Sequence, residues 1–318
     1  MKNRKLHSGR CAALALALPL ALTGVPGATA QVQPSLGVVK DAKVVQIAGA
    51  RKINPTTVEI IYANGKHVTF DFYGANIFRL FRDDNGGIVR NPQATPPAEI
   101  LVGGARRATG GVELKSNADN IEMETSRVIV SVDRKTGLLT VMNKQTNEIV
   151  LKEVAPVSFD KKGVTMTLQA QPDEYFYGGG VQNGRFSHKG KAIAIENTNN
   201  WVDGGVASPT PFYWSTKGYG VMWHTFKPGR YDFGAAEKDK VILSHGEQYL
   251  DAFIMVNDGA VGLLNDFYQL TGNPVLLPKF GFYQGHLNAY NRDYWTEKEN
   301  GFMLFEDGKR YNESQKDN

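Results

Sequence analysis

The sequence predicts a mostly β chain whose main body is a large antiparallel sandwich of two sheets. Three observations carry that reading. Short segments with alternating apolar and polar residues recur from about Thr57 to Val256, the period of a half-buried strand. Turn signals separate them at short, regular intervals, the mark of a sandwich or barrel. One convincing helical pattern occurs, and it comes late, between Asn257 and Gly272.

The chain opens on a segment that stands apart. Lys2, Arg4, Lys5 and Arg10 precede an apolar run from Cys11 to Val25, and Ala28-Thr29-Ala30 supplies the small residues of a cleavage site. This is the pattern of a secretory signal peptide over residues 1–30, so the mature chain is expected to be exported, to the periplasm or the exterior. Pro19, Gly24, Pro26 and Gly27 interrupt the run, which falls short of the ~20 residues a membrane span needs. No membrane span is expected.

Cleavage takes four of the 36 Lys and Arg and none of the 32 Asp and Glu, which leaves 32 of each sign. The formal charge of +4 therefore belongs to the leader, and no basic face speaks for nucleic acid. Cys11, the only cysteine, leaves as well. Disulfides and thiol chemistry are excluded from the mature chain, which must cohere by burying a core.

Residues 31 to 52 read as lead-in strands. Val58, Ile60 and Tyr62 then alternate with Thr57, Glu59 and Ile61, and Ala63-Asn64-Gly65 gives the strongest short hairpin signal. The return strand sets Val68, Phe70 and Phe72 on one face. Ile77 to Arg82 follows, and Asn91 to Pro97 reads as a proline-punctuated edge. Arg127 to Val132 meets Leu138 to Met142 across a turn. Glu148 to Leu151, the alternation of Val164, Met166 and Leu168, Tyr219 to Thr225, Val241 to Leu243 and Tyr249 to Val256 complete the strands.

Between them lies Glu174 to Trp214, rich in aromatics, glycines and side-chain amides, with Gly178-Gly179-Gly180 and Gly204-Gly205. Glycine permits sharp turns and close backbone approach, so this stretch is expected to be loop-rich. Trp and Tyr pair an apolar face with a polar edge, which suits sugar rings as well as cores. The stretch is expected to border a carbohydrate site.

The late helix is expected to be capped by Asn257-Asp258, to carry a stripe of Val261, Leu264 and Tyr268 flanked by Leu263, Phe267 and Leu270, and to stop at Gly272. The sandwich thus occupies residues 31–272 and a stiff linker 273–279. Phe280 to Leu287 looks like the first strand of a new unit at 280–318. Polar residues follow Trp295, and Lys298, Glu299, Glu306, Asp307, Lys309 and Arg310 read as solvated. A new strand followed by a bare end suggests a chain cut short.

The order Tyr177-Gly178-Gly179-Gly180, Asn200-Trp201-Val202-Asp203, Pro211-Phe212 and Tyr219-Gly220-Val221 resembles glycoside hydrolase family 31. So does Leu263-Leu264-Asn265-Asp266-Phe267-Tyr268-Gln269-Leu270-Thr271-Gly272 followed by Pro278-Lys279-Phe280. The resemblance spans about residues 55 to 295 and rests on the order of the motifs. It implies a galactose mutarotase-like β-sandwich followed by the first strand of an incomplete (β/α)8 barrel, and an α-linked oligosaccharide or glycan as ligand. Two departures stand out: Gly178-Gly179-Gly180 in place of Gly-Leu-Gly, and Phe282-Tyr283-Gln284-Gly285-His286-Leu287-Asn288 in place of the aromatic-Ser-Arg-Trp pattern of α-glucosidases. The second speaks against ordinary α-glucosidase specificity and is closer to members acting on α-galactosides or α-N-acetylgalactosaminides.

Family members are retaining α-glycosidases, which need two close carboxyls. The resemblance puts both on later barrel strands, so no catalytic residue is assigned here, and the missing barrel domain in cis is the expected partner. Asp203 matches the aspartate that the family's sandwich sends into the sugar site, although Asp203-Gly204-Gly205 alone reads as a turn. Trp201 either lines the same rim or packs between sheets. His286 and Asn288 fall near the end of the implied barrel strand and are candidates for substrate contact.

Three other readings stay open: a stand-alone carbohydrate-binding module, a mutarotase-type isomerase, and a purely structural sandwich. Asn197, Trp214 and Trp223 could serve the first, although both tryptophans sit in runs that suit core packing. The second would need an acid and a base. His245 and Glu247 are two apart, but Gly246 between them suggests a turn with a solvated pair. No ligand set of metal-binding spacing occurs, and no cofactor is expected.

Overall fold

A computed structural model describes residues 45–83, 100–198, 200, 202–278, 295–303 and 306–313. The expected signal peptide, the edge at Asn91 to Pro97, the strand Phe280 to Leu287, and the side chains of Trp201, His286 and Asn288 lie outside the described residues. The chain opens with β1 (Ile47–Asn54), β2 (Thr57–Tyr62), β3 (His67–Gly74) and β4 (Ile77–Asp83). Next come β5 (Glu113–Ser116), β6 (Asn120–Glu124), β7 (Val128–Asp133), β8 (Leu139–Asn143), β9 (Glu148–Asp160) and β10 (Gly163–Gln169). Then follow β11 (Phe176–Gln182), β12 (Ala192–Ile195), β13 (Val206–Ser215), β14 (Tyr219–Trp223), β15 (Gly229–Phe233), β16 (Lys240–His245) and β17 (Tyr249–Val256). The helix α1 (Gly259–Thr271) and a hairpin of β18 (Trp295–Phe302) and β19 (Tyr311–Glu313) end the order.

The strands form the expected sandwich. An eight-stranded sheet runs β1-β2-β3-β4-β17-β14-β13-β11, and a nine-stranded sheet runs β12-β15-β16-β10-β9-β8-β7-β6-β5. The alternation read from sequence sets the inner faces. Val58 and Ile60 of one sheet and Val164, Met166 and Leu168 of the other are fully buried in a single cluster. Burying a side chain of this size stabilises by roughly 1.5–3 kcal/mol, so the register of β2 on β3 is firmly held. That register pairs Ile61 with His67 across the turn at Asn64-Gly65. There the Gly65 N–H donates to the Tyr62 carbonyl at 2.9 Å.

An acid, Glu153, is buried between the sheets. The Glu153 side chain borders a small cavity with Tyr62 and Arg82 and accepts the Leu139 N–H at 2.9 Å. Burial pushes its carboxyl up to about 7, against the opposing pull of the Leu139 N–H and Arg82.

The outer face of the eight-stranded sheet carries a second core. Ile77, Met222, Phe253 and Met255 pack there with Leu263 and Leu270 of α1. The helix faces the sheet differently from the expected stripe. Val261 is 74% exposed, while Leu263, Asp266, Gln269 and Leu270 are buried. The polar pair is buried because β3 and the loops at the sheet's end offer partners: Gln269 donates to the carbonyls of Tyr73 and Ala105, and Asp266 accepts from Asn76 and Asn257. Asp258 holds the N-cap position without a side-chain cap bond, which corrects the expected capping. Asn257 instead braces the acid at Asp266. Gly272 ends the helix as expected.

One further expectation is corrected. The three glycines at 178–180 lie inside β11, in positive-φ conformations with shifted register against β13. A Cβ on Gly180 would sit 2.1 Å from the Ser208 carbonyl, so this strand needs glycine to approach its neighbour. The polar tail pairs into an antiparallel hairpin of β18 and β19, with Lys309 on Glu297 at 2.8 Å, and Lys298, Glu299, Glu306, Asp307, Lys309 and Arg310 are exposed there as expected.

Candidate functional site

The Asp203 region is built by two loops that follow directly from strands. The loop after β11 turns at Asn183-Gly184, where the Arg185 N–H bonds back to the Gln182 carbonyl at 3.2 Å. The loop before β13 turns at Val202–Gly205, where the Gly205 N–H bonds to the Val202 carbonyl at 2.9 Å and Gly204 takes a φ of 76°. The expected Asp-Gly-Gly turn is therefore real. Its position is what gives Asp203 a distinctive setting.

The two loops are stitched together. Asn183 N–H donates to Gly205 at 3.0 Å, Gly204 N–H to Asn183 at 2.9 Å, and the Asn183 side chain to the Asn200 carbonyl at 2.9 Å. The Asp203 carboxylate lies directly over Gly184. A Cβ there would fall 1.5 Å from Oδ1, so a larger residue would push the acid aside. Asp203 is exposed, and no side chain or N–H among the described residues pairs with its carboxylate. An unpaired carboxylate on a fixed turn is a strong acceptor with free lone pairs.

Arg185 flanks the same turn. Its Nη1 donates to the Ala192 carbonyl at 3.0 Å, and its Nη2 lies 3.3 Å from where a Gly204 Cβ would sit. A guanidinium with spare donors thus stands at Gly204, the residue after Asp203, without an ion pair to the Asp203 carboxylate. Such a donor–acceptor pair matches the neighbouring hydroxyls of a sugar. Sequence reasoning did not single out Arg185 or Phe186. The signal available to it was the turn dipeptide Asn183-Gly184 placed just before them.

The other candidates are now placed. Trp223 is in the core, as its apolar run suggested, and packs on His245 at 4.7 Å. Trp214 is not between the sheets. It is half-buried on the outer face and stacks on Tyr177 at 4.5 Å. His245 and Glu247 are buried, which corrects the solvated pair expected of them. The His245 ring nitrogens lie 2.9 Å from the Tyr231 hydroxyl and 2.9 Å from the Lys227 carbonyl, and Glu247 accepts from Thr225 at 2.7 Å. Burial holds His245 down at about 4. Both groups are engaged in structural bonds within the chain. Among the described residues no set of three or more His, Cys, Asp or Glu converges to hold a metal, and no helix is long and apolar enough to cross a membrane.

Comparison with known proteins adds four findings. The glycosyl hydrolase 31 N-terminal galactose mutarotase-like domain matches residues 67–232. An α-xylosidase of Emericella nidulans is 26% identical over 155 residues, covering 46% of this chain and 19% of that protein. An α-xylosidase of Saccharolobus solfataricus is 22% identical over 247 residues, covering 73% of this chain and 30% of that protein. Among solved structures, the GH31 dextranase of Flavobacterium johnsoniae, complexed with isomaltotriose, superposes with a TM-score of 0.63 at 16% identity. That match covers 76% of this chain and 29% of the dextranase and speaks for the fold. The chain spans less than a third of the length of each of these relatives.

Proposed function

The chain belongs to the glycosyl hydrolase 31 family, and from that premise we propose that it is the N-terminal part of an exported, retaining α-glycosidase. In this reading the sandwich holds an α-linked glycan at the Asp203 turn. Retention proceeds by attack of one carboxylate on the anomeric carbon while a second carboxyl protonates the leaving oxygen; water then releases the sugar. Both carboxyls belong to a catalytic barrel in cis, with His286 and Asn288 contributing near its first strand. This chain's own part is binding. Asp203 accepts from one sugar hydroxyl, Arg185 donates to its neighbour, and Trp201 borders the rim. Hydrogen bonds to charged groups are worth roughly 1.5–3 kcal/mol each, enough to fix the orientation of one ring.

The observation that supports the reading is the exposed Asp203 carboxylate, which has no partner among the described residues and lies over Gly184 between two interlocked turns. The test is an affinity measurement on this chain with the methyl α-glycosides of xylose, glucose, galactose and N-acetylgalactosamine. One of the four is expected to bind, and Asp203→Asn is expected to weaken it about tenfold or more, the equivalent of ~1.4 kcal/mol. Absence of binding by all four, or equal binding by the variant, would overturn the reading.

A further inference from the structure

Phe186 is 87% exposed, an unusual setting for a phenylalanine that forgoes roughly 1.5–3 kcal/mol of burial. It is not on a loose loop. The Arg185 side chain bonds to Ala192, and the His188 N–H bonds to the Phe176 carbonyl at 3.0 Å. The His188 ring also meets the Gly178 carbonyl at 2.8 Å. The ring of Phe186 itself stands 5.6 Å from Tyr177 at 70°, nearly perpendicular. Tyr177 stacks on its cross-strand partner Trp214 at 4.5 Å and 22°. Trp214 in turn packs against the cluster under α1, where Phe212 stacks on Phe267 at 4.3 Å. A row of aromatics therefore crosses the outer face of the sheet from α1 to its β11 edge, and Phe186 is its exposed end.

We propose that Phe186 is a sugar-stacking residue that extends the Asp203 site along this face, so that the site takes an α-linked oligosaccharide rather than a single ring. The proposal rests on the Asp203 reading above. Continuity supports it: Phe186 follows Arg185 directly and lies two residues from Gly184, on which Asp203 sits. The chemistry supports it as well. A sugar ring offers an apolar C–H face to an aromatic ring and hydroxyls to flanking charges. The centre of a protein–protein patch is instead depleted of Asp. Asp203 at the open end of the row favours the sugar.

The test compares Phe186→Ala, Phe186→Tyr and Asp203→Asn, each titrated with the methyl α-glycosides and with α-linked trisaccharides of glucose, galactose and xylose. In the parent chain the trisaccharide is expected to bind more tightly than its methyl glycoside. Phe186→Ala is expected to reduce that ratio about fivefold to tenfold, in line with one aromatic contact, and Phe186→Tyr to restore it. Asp203→Asn is expected to weaken both ligands alike. An unchanged ratio in Phe186→Ala, with both ligands still lost in Asp203→Asn, would overturn the stacking role and leave the Asp203 reading standing. No binding of any sugar would overturn both. A loss of self-association in Phe186→Ala, with sugar affinities unchanged, would identify a second copy of the chain as the occupant and overturn the proposal.

Discussion

Asp251 and Asp203 lie on strands or loops of the same eight-stranded sheet, and their surroundings are opposite. Asp251 is 2% exposed on the outer face beside α1. Arg79 donates to both its oxygens at 2.7 Å, and His224 Nδ1 meets it at 2.9 Å. Around it Tyr73 and Phe253 meet edge to face at 5.0 Å. Every strong group there is matched by another within the chain, which is how a buried charge is made tolerable. At the β11–β13 end, Asp203 has no such match among the described residues, and Phe186 stands in solvent. The difference separates two tasks. The covered end consumes its chemistry in holding the fold, and the open end keeps its chemistry available.

That contrast can be broken by substitution. The largest effect is expected at the covered end. Arg79→Ala strands the Asp251 carboxylate and should cost about 3–5 kcal/mol, read from urea denaturation midpoints. Inside the sandwich, Glu153 sets the next effect. Its folded-state pKa is raised from 4.5 to about 7, so its contribution is fully present below about pH 4.5 and is lost as pH rises through 7. Glu153→Gln should remove that loss and gain up to about 3 kcal/mol at pH 8 relative to the parent, with little gain at pH 4.

Smaller effects sharpen the comparison. Gly184→Ala places a Cβ at a φ of 66° and on top of the Asp203 carboxylate. It should cost about 1–2 kcal/mol of stability and abolish sugar binding, since the acid must move. Asp203→Asn should change the unfolding free energy by no more than about 0.5 kcal/mol, as for a surface residue without partners, while binding falls. A large loss of stability in Asp203→Asn would mean the two ends are not divided as described.

Much of the fold was legible because its core follows period two. Val58, Ile60 and Tyr62, or Val164, Met166 and Leu168, announce an inward face with no tertiary knowledge. What was hidden had physical reasons. Glycine usually weakens strands, so the run at 178–180 read as loop, whereas close approach to β13 required it. Asp266 and Gln269 look like a solvent-facing side of α1, yet the loop carbonyl of Ala105 and the turn amide of Asn76 receive them. The burial of His245 depends on Tyr231, fourteen residues away on the neighbouring strand β15 and two positions along from Gly229, the residue opposite His245. At the site, the motif order pointed to Asp203. Arg185 and Phe186 were not legible, because only the pairing of two loops brings them to the same turn.

The most direct test of the account is a residue-by-residue binding map. The chain, labelled with 15N, would be titrated with the methyl α-glycoside that binds best, and amide shifts followed. The expected result is a cluster of shifts at Gly184, Arg185, Gly204 and Gly205, with α1 and the strands beneath it unmoved. Shifts centred on α1, or scattered over both sheets without the Asp203 turn, would contradict the account.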